Sequence, residues 1–337
     1  MKRLDYCWYT PSPWPVFLVP LSLIYCLVVR LRRLLYRVGV LASHRLPVPV
    51  VIVGNLTAGG TGKTPLVAWL AGFLRTAGYR PGIVARGYRG RARHWPQRVC
   101  PDSDPRMVGD EAVLLADLCG CPVAVAPRRV AAARSLLEQG DCDLILADDG
   151  LQHYALQRDV EIAVVDGIRR LGNGLCLPAG PLREPPARLD TVDLVVVNGQ
   201  AGRGEYMMKM KAATACRLHD RNDCRALESF RNRSVHAVAG TGNPGRFFDA
   251  LRQAGMRIAE HAFSDHHAYT ADELDFDDAL PVFMTAKDAV KCRNFSLQDA
   301  WCVPVTMEID AQFSARILEL LGRVASARGM AEAQNSC

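Results

Sequence analysis

Two groups of residues in this chain have the types and spacing that phosphate chemistry needs. The first is Gly62-Lys63-Thr64, which closes the stretch VGNLTAGGTGKTP. In such a turn backbone N–H groups surround a triphosphate, the lysine reaches its outer oxygens, and the hydroxyl residue ligates Mg²⁺. The cradle would be Thr57, Ala58, Gly59, Gly60, Thr61, Gly62, Lys63 and Thr64. Thr57 stands where the usual spacing has a glycine, so the pattern is a variant in which Gly59 and Gly60 supply the flexibility. The second group is Asp148 and Asp149 in DCDLILADDG. Two acids closing an apolar run are the arrangement that holds Mg²⁺ beside a P-loop threonine, and they are costly when buried unless a cation or donors compensate them. Which of the two binds directly stays open.

The elements that must carry these groups are legible in the apolar pattern. Val48 to Val53 is a continuous β-branched run, as a strand covered on both faces requires, and Leu66-Val67-Trp69-Leu70-Phe73-Leu74 is an amphipathic helix stopped near Gly78. Further strands are expected at Arg80–Arg86, Pro122–Ala126, Val160–Val165 and Val192–Val197, with a long polar loop from Gly87 to Pro105. Asp110 and Glu111 open one helix, where the dipole favours carboxylates. Arg128 and Arg129 open another, where cations oppose the dipole; phosphate binding and plain surface placement both explain them. This alternation predicts an α/β fold, a P-loop NTPase-like doubly wound parallel sheet with its ligand at the strands' C-terminal ends.

From about Met207 the pattern restarts. Lys209–Leu218 reads as an exposed strand bridging two lobes, and Val235–Ala239 enters Gly240-Thr241-Gly242-Asn243-Pro244 and a helix at Arg246–Gln253. Without a Lys-Ser/Thr pair this second unit is not a second nucleotide site. A closing helix spans Arg316–Val324. The division expected is 1–40 for a hydrophobic membrane anchor, 41–205 for the P-loop domain, and 206–337 for a smaller α/β domain whose closing helix packs back on the first.

The anchor rests on Trp14–Val29, sixteen residues without a charge, followed by Arg30, Arg32, Arg33 and Arg37. A spanning helix needs roughly 20 apolar residues, and Pro15 and Pro20 argue against a straight span. The run therefore reads as embedded or interfacial, its basic collar meeting anionic headgroups; a helix packed on the protein itself is the alternative. Over the full 337 residues, 49% hydrophobic and 23% charged describe a globular chain of two domains. A net charge of +6 permits an anionic partner, but no nucleic-acid signature accompanies it. Twelve scattered cysteines without a CxxC pair suit a reducing compartment better than a disulfide framework.

In order and wording these segments resemble the tetraacyldisaccharide 4′-kinase family of the lipid A pathway in Gram-negative bacteria. The likeness covers nearly the whole chain: the hydrophobic N-terminus, VGNLTAGGTGKTP, ARGYRG, VGDEA, LADDGLQH, LPAGPLREP, AGTGNPGRF, SDHHAYT and TAKDAVKC. That family also writes threonine at the position of Thr57. It often has glutamate where this chain has Ala286, so no role for that side chain carries over. The resemblance implies ATP and Mg²⁺ as cofactors, and transfer of the γ-phosphoryl group to the 4′-hydroxyl of a tetraacylated glucosamine disaccharide 1-phosphate. That lipid A precursor lies at the cytoplasmic face of the inner membrane, and no obligate protein partner is implied.

The resemblance also implies roles. Asp110 would accept or orient the hydroxyl proton with His266 supporting it from the second domain, as phosphoryl transfer asks. Thr64, Asp148 and Asp149 would hold Mg²⁺ with Glu111 assisting, Arg128 and Arg183 would face phosphate, and Tyr88 would stack on a sugar or base. A rival is a membrane-associated ATPase or GTPase switch acting on a protein partner. The chain has no NKxD guanine-reading motif, Val197-Asn198-Gly199-Gln200 being a faint echo. A structural adaptor would leave Asp110, Asp148 and Asp149 unexplained.

Overall fold

The continuous apolar runs become strands buried on every residue, which only helices on both faces of a sheet allow. In a computed structural model, which describes residues 7–335 apart from residue 11 and side chains up to 329, they lie at the centre of a nine-stranded sheet. Its members are β1 (Val50–Gly54), β2 (Pro81–Ala85), β3 (Gln97–Val99), β4 (Val123–Val125), β5 (Leu144–Ala147), β6 (Val160–Asp166), β7 (Leu194–Asn198) and β8 (Tyr206–Lys211), joined late in the chain by Thr306–Ile309. The second sheet contains β9 (Thr214–Arg217), β10 (Cys224–Ala226), β11 (Ser234–Ala239), β12 (Arg257–Ala262), β13 (Val282–Thr285) and β14 (Ala300–Val303); Thr306–Ile309 is then β15. The helices are α1 (Trp14–Arg37), α2 (Lys63–Thr76), α3 (Pro105–Val108), α4 (Asp110–Cys119), α5 (Arg129–Glu138), α6 (Pro244–Gln253), α7 (Ala286–Cys292) and α8 (Ala311–Asn335).

The first sheet has the order β15-β8-β7-β6-β1-β5-β2-β4-β3 and is parallel from β8 to β4, with antiparallel edges. The chain leaves β1 towards β2 on one side and places β6 on the other, so the strand order reverses at β1 and the P-loop sits at that switch point. One face is covered by α2, α4 and α8, where Leu66, Leu70 and Leu74 meet Phe313, Ile317 and Leu321. On the opposite face α5 packs through Val130, Ala133 and Leu136, and Tyr25 and Cys26 of α1 join it.

Helix α1 lies along the first lobe and does not project from it. Ser22 Oγ donates to Cys176 O at 2.7 Å, Tyr25 OH to Arg183 O at 3.1 Å, and Arg33 Nη2 to Thr191 Oγ1 at 3.0 Å. The other faces leave Phe17, Leu23, Leu27 and Leu31 open to solvent, Phe17 at 76%. One face of the helix therefore packs on the protein, as the alternative expected, while the other faces carry exposed apolar side chains. Residues 1–6 and 11 of the expected anchor segment lie outside the described residues.

Three expectations need correction. Lys209–Leu218 is not one exposed strand, because pairing breaks at Ala212-Ala213: Tyr206–Lys211 pairs with β7 in the first sheet and Thr214–Arg217 with β14 in the second. The crossing thus falls after Lys211, not at 205, and β15 and α8 return to the first lobe. The thiol reading fails at one pair, since Cys216 and Cys224 face each other across the antiparallel β9–β10 ladder and are bonded.

Candidate active site between the lobes

The P-loop is built as the glycine turn demands. Gly62 has φ +100°, and a Cβ there would stand 2.9 Å from Met208 Cε and 3.1 Å from Asn198 Nδ2, so strand ends of the same sheet press on it. Asn55 organises the loop from within: its Nδ2 donates to Thr57 O at 2.8 Å and Gly59 O at 3.2 Å, while its Oδ1 accepts from Lys63 Nζ at 3.0 Å. Thr57 is buried, bridged to Leu182, and Ala58 N donates to Pro181 O at 2.7 Å. That strap to 181–182 holds the loop without a glycine at this place. It also keeps Thr57 off the cleft wall, which Ala58 to Thr64 do line.

Asp148 and Asp149 follow β5 and stand beside this loop. Asp149, at φ +48°, is gripped by Arg183 Nη1 at 2.9 Å and lies 3.5 Å from Lys63 Nζ. Burial alone would raise its pKa, but the Lys63 and Arg183 charges outweigh it and hold Asp149 well below the usual carboxylate range. Asp148 goes the other way: burial first, then the Glu111 carboxylate, pushes it upward against the pull of Lys63. Its Oδ1 is buried without a hydrogen-bond partner, a condition that a divalent cation would relieve. Among the described residues no three His, Cys, Asp or Glu side chains form a metal cluster. The set of Thr64 and the two aspartates fits instead an ion that takes its other ligands from phosphate and water.

Asp110 and His266 meet across the lobes. Asp110 opens α4 after Gly109, which has φ +92° and whose Cβ would fall 2.7 Å from Tyr88 O. His266 Nδ1 lies 2.8 and 2.9 Å from the two oxygens of Asp110, although 156 positions separate the residues. Its backbone is left-handed, at φ +60°, and Arg89 Nη1 donates to the carbonyls of Asp265 and His266 at 3.2 Å. Strain of this kind persists only where surroundings impose it, and it gathers at functional sites. Burial would lift Asp110, but the His266 hydrogen bond and the Lys287 charge leave it below its ordinary value. Tyr88 stands at the rim, its ring centroid 5.2 Å from that of His266.

The remaining candidates divide. Glu111 accepts from Lys287 Nζ at 3.2 Å and faces the cleft. Arg128 is exposed and lines no part of the cleft; its neighbour Arg129 is the buried one, donating to Asp149 O at 2.7 Å. Arg128 is the extended N-cap of α5 and Arg129 the first helical residue, so their side chains diverge. Asn198 has a structural task, donating to Thr61 O at 3.2 Å, which removes the faint guanine-motif echo. Sequence reasoning assigned no role to Asn55 or Lys287, and it offered Arg129 only as half of an arginine pair that phosphate binding or surface placement would explain.

Most of these groups line one cleft of about 1050 Å³ whose walls come from three places. The first lobe supplies the P-loop, Asp148, Asp149 and Arg183. The second supplies Thr241-Gly242-Asn243, His266 and Lys287, and α1 supplies Tyr25, Val29 and Arg32. The family description Tetraacyldisaccharide-1-P 4′-kinase matches residues 14–322. The chain belongs to the tetraacyldisaccharide 4′-kinase family. It is 53% identical over 318 residues to the tetraacyldisaccharide 4′-kinase of Nitrosococcus oceani, covering 94% of each chain. With that of Alkalilimnicola ehrlichii the identity is 50% over 97% of this chain and 99% of the other. The crystal structure of LpxK from Aquifex aeolicus in complex with ATP is similar at a TM-score of 0.76 and 26% identity, covering 91% of this chain and 99% of that one. For a tetraacyldisaccharide 4′-kinase, a cleft walled by both a P-loop and an apolar N-terminal helix is in keeping with a kinase whose acceptor carries acyl chains.

Proposed function

We propose that this protein transfers the γ-phosphoryl group of ATP to the 4′-hydroxyl of a tetraacylated glucosamine disaccharide 1-phosphate at the cytoplasmic face of the inner membrane. The observation that carries the reading is the 2.8 Å contact between Asp110 and His266, the latter lining the same cleft as Lys63 and Thr64. As the hydroxyl oxygen bonds to the γ-phosphorus and the bond to the β-phosphate oxygen breaks, Asp110 receives the hydroxyl proton and His266 Nδ1 keeps its carboxylate oriented. Lys63 neutralises the outer phosphate oxygens. Arg183 and Arg129 anchor Asp149, by its carboxylate and its carbonyl respectively, and so hold the acidic turn in place. Thr64, Asp148 and Asp149 would hold Mg²⁺, which when bound supplies charge neutralisation on the transferring group.

Helix α1 supports the membrane part of this reading. Its inner face forms cleft wall while its outer face exposes Leu23, Leu27 and Leu31, so a headgroup in the cleft and acyl chains beside the helix are compatible. The lengthwise packing favours a helix lying in the interface over one crossing the bilayer. Incubation with γ-labelled ATP and the monophosphorylated disaccharide lipid, followed by separation of the lipids, tests the proposal. Label in a bisphosphorylated lipid is expected; ATP consumption indifferent to the lipid would overturn it.

A further inference from the structure

Lys287, in the first turn of α7, makes three close polar contacts through Nζ: 2.9 Å to Asp265 Oδ1, 3.2 Å to Glu111 Oε1 and 3.3 Å to His266 Nε2. An ammonium group has three N–H donors and no acceptor, so each of these partners must accept. Nε2 of His266 accepts only when it carries no proton. On the other edge of the ring, Nδ1 faces both oxygens of Asp110, and a carboxylate also only accepts. Nδ1 must therefore carry the hydrogen. The two edges independently demand one form, the neutral ring protonated at Nδ1. An imidazolium would set an N–H against the ammonium, and the opposite tautomer would set lone pairs against Asp110 and donors against Lys287.

We propose that Lys287 is a positioning residue that fixes the tautomer and orientation of His266, and through it the Asp110 carboxylate that receives the acceptor's proton. The three side chains are well shielded, with Asp110 7%, His266 11% and Lys287 15% exposed, so water competes little for these contacts. The arrangement also crosses the cleft, because Glu111 belongs to the first lobe and Asp265, His266 and Lys287 to the second. The tautomer lock is thus complete only with the lobes together. A plain interlobe ion pair would need Glu111 and Asp265 alone, and would leave the ring nitrogen uninvolved.

The inference rests on the Asp110–His266 reading, and its test is separable from that reading because it needs no turnover. Nitrogen-15 NMR of the full chain in detergent micelles, with His266 assigned by its loss in His266→Gln, reads the ring directly. The proton is expected on Nδ1; a proton on Nε2 overturns the proposal whatever the variants do. In Lys287→Met the Nδ1 signature should give way to a mixture of forms, and kcat should fall roughly 10- to 100-fold, within the scale of acid–base positioning. The KM for ATP should stay within about twofold, because Lys287 is no part of the phosphate cradle. Lys287→Arg restores donors and should recover part of kcat. A Lys287→Met protein that keeps the Nδ1 tautomer and full kcat, or changes only the KM for ATP, overturns the proposal. Should that variant fail to fold, the parent's tautomer and the behaviour of Lys287→Arg decide.

Discussion

Asp110 and His266 are tied by two contacts under 3 Å, and groups acting on one step as a unit give strongly non-additive losses. Asp110→Ala and His266→Ala should each lower turnover by roughly 10²-fold or more, while the double variant is hardly worse than the poorer single one. Losses that multiply in single-turnover assays would assign the two residues independent roles. A second residue couples the site to pH. His153 lines the cleft, and burial, together with the charges of Arg129 and Arg158, pulls its pKa down to about 4. The unfolded chain binds that proton near pH 6.5 and the folded chain refuses it, so His153 leaves stability intact above about 6.5 and reduces it as pH falls towards 4. His153→Gln should therefore show a smaller drop in thermal midpoint between these pH values than the parent. Parallel curves would place the acid sensitivity elsewhere.

At the scale of elements, α1 carries two jobs on opposite faces. Ser22, Tyr25 and Arg33 hold the body, and Leu23, Leu27 and Leu31 face away at 64%, 67% and 52% exposure. Deleting the helix would strip the cleft wall and uncover part of the second-face core, mixing the two jobs. Serine at the three outward leucines separates them. With about 1 kcal/mol lost for each half-exposed leucine, binding to anionic lipid vesicles should weaken by roughly 10²-fold while the unfolding transition stays in place. Unchanged vesicle binding would refute a membrane role for this face. The strap from Leu56–Ala58 to Pro181–Arg183 is the other element-level device, and it lets a threonine stand where P-loops usually need a glycine.

The molecule as a whole is not two domains in series. The chain leaves the first lobe after Lys211, builds the second sheet, and returns with β15 and α8 to finish the first. Ile317, fully buried on α8, packs in the same core as Leu66 and Leu70 of the P-loop helix. Ile317→Ala should cost about 2–5 kcal/mol, the range for a buried isoleucine truncated to alanine. Hydrogen exchange should then accelerate in β1 and α2 while β11 keeps its protection. Acceleration confined to β11 and its neighbours would refute the shared core. The return also gives the lobes two covalent connections, since the chain crosses between them once after Lys211 and again after Val303.

The P-loop, the Asp148–Asp149 pair and the parallel sheet were all legible in the chain, because each is written locally: a glycine turn after an apolar run, acids at a strand's end, continuous apolar stretches where both faces are covered. Residue types alone left Asp110 open as a helix-start acid and His266 as a loop histidine; only the family likeness paired them. What tertiary structure decided was which side chains face one another across long separations. Periodicity says that an arginine pair opens α5, but the turn from extended Arg128 to helical Arg129 chooses which of them is buried against Asp149. Strand character is visible at 209–218, but allegiance to one sheet or another depends on hydrogen-bond partners distant in sequence. Lys287 sits in a short helix with no sign of chemistry, and only the meeting of the lobes sets Glu111, Asp265 and His266 Nε2 around its ammonium, because donors and acceptors are matched by space and not by order in the chain.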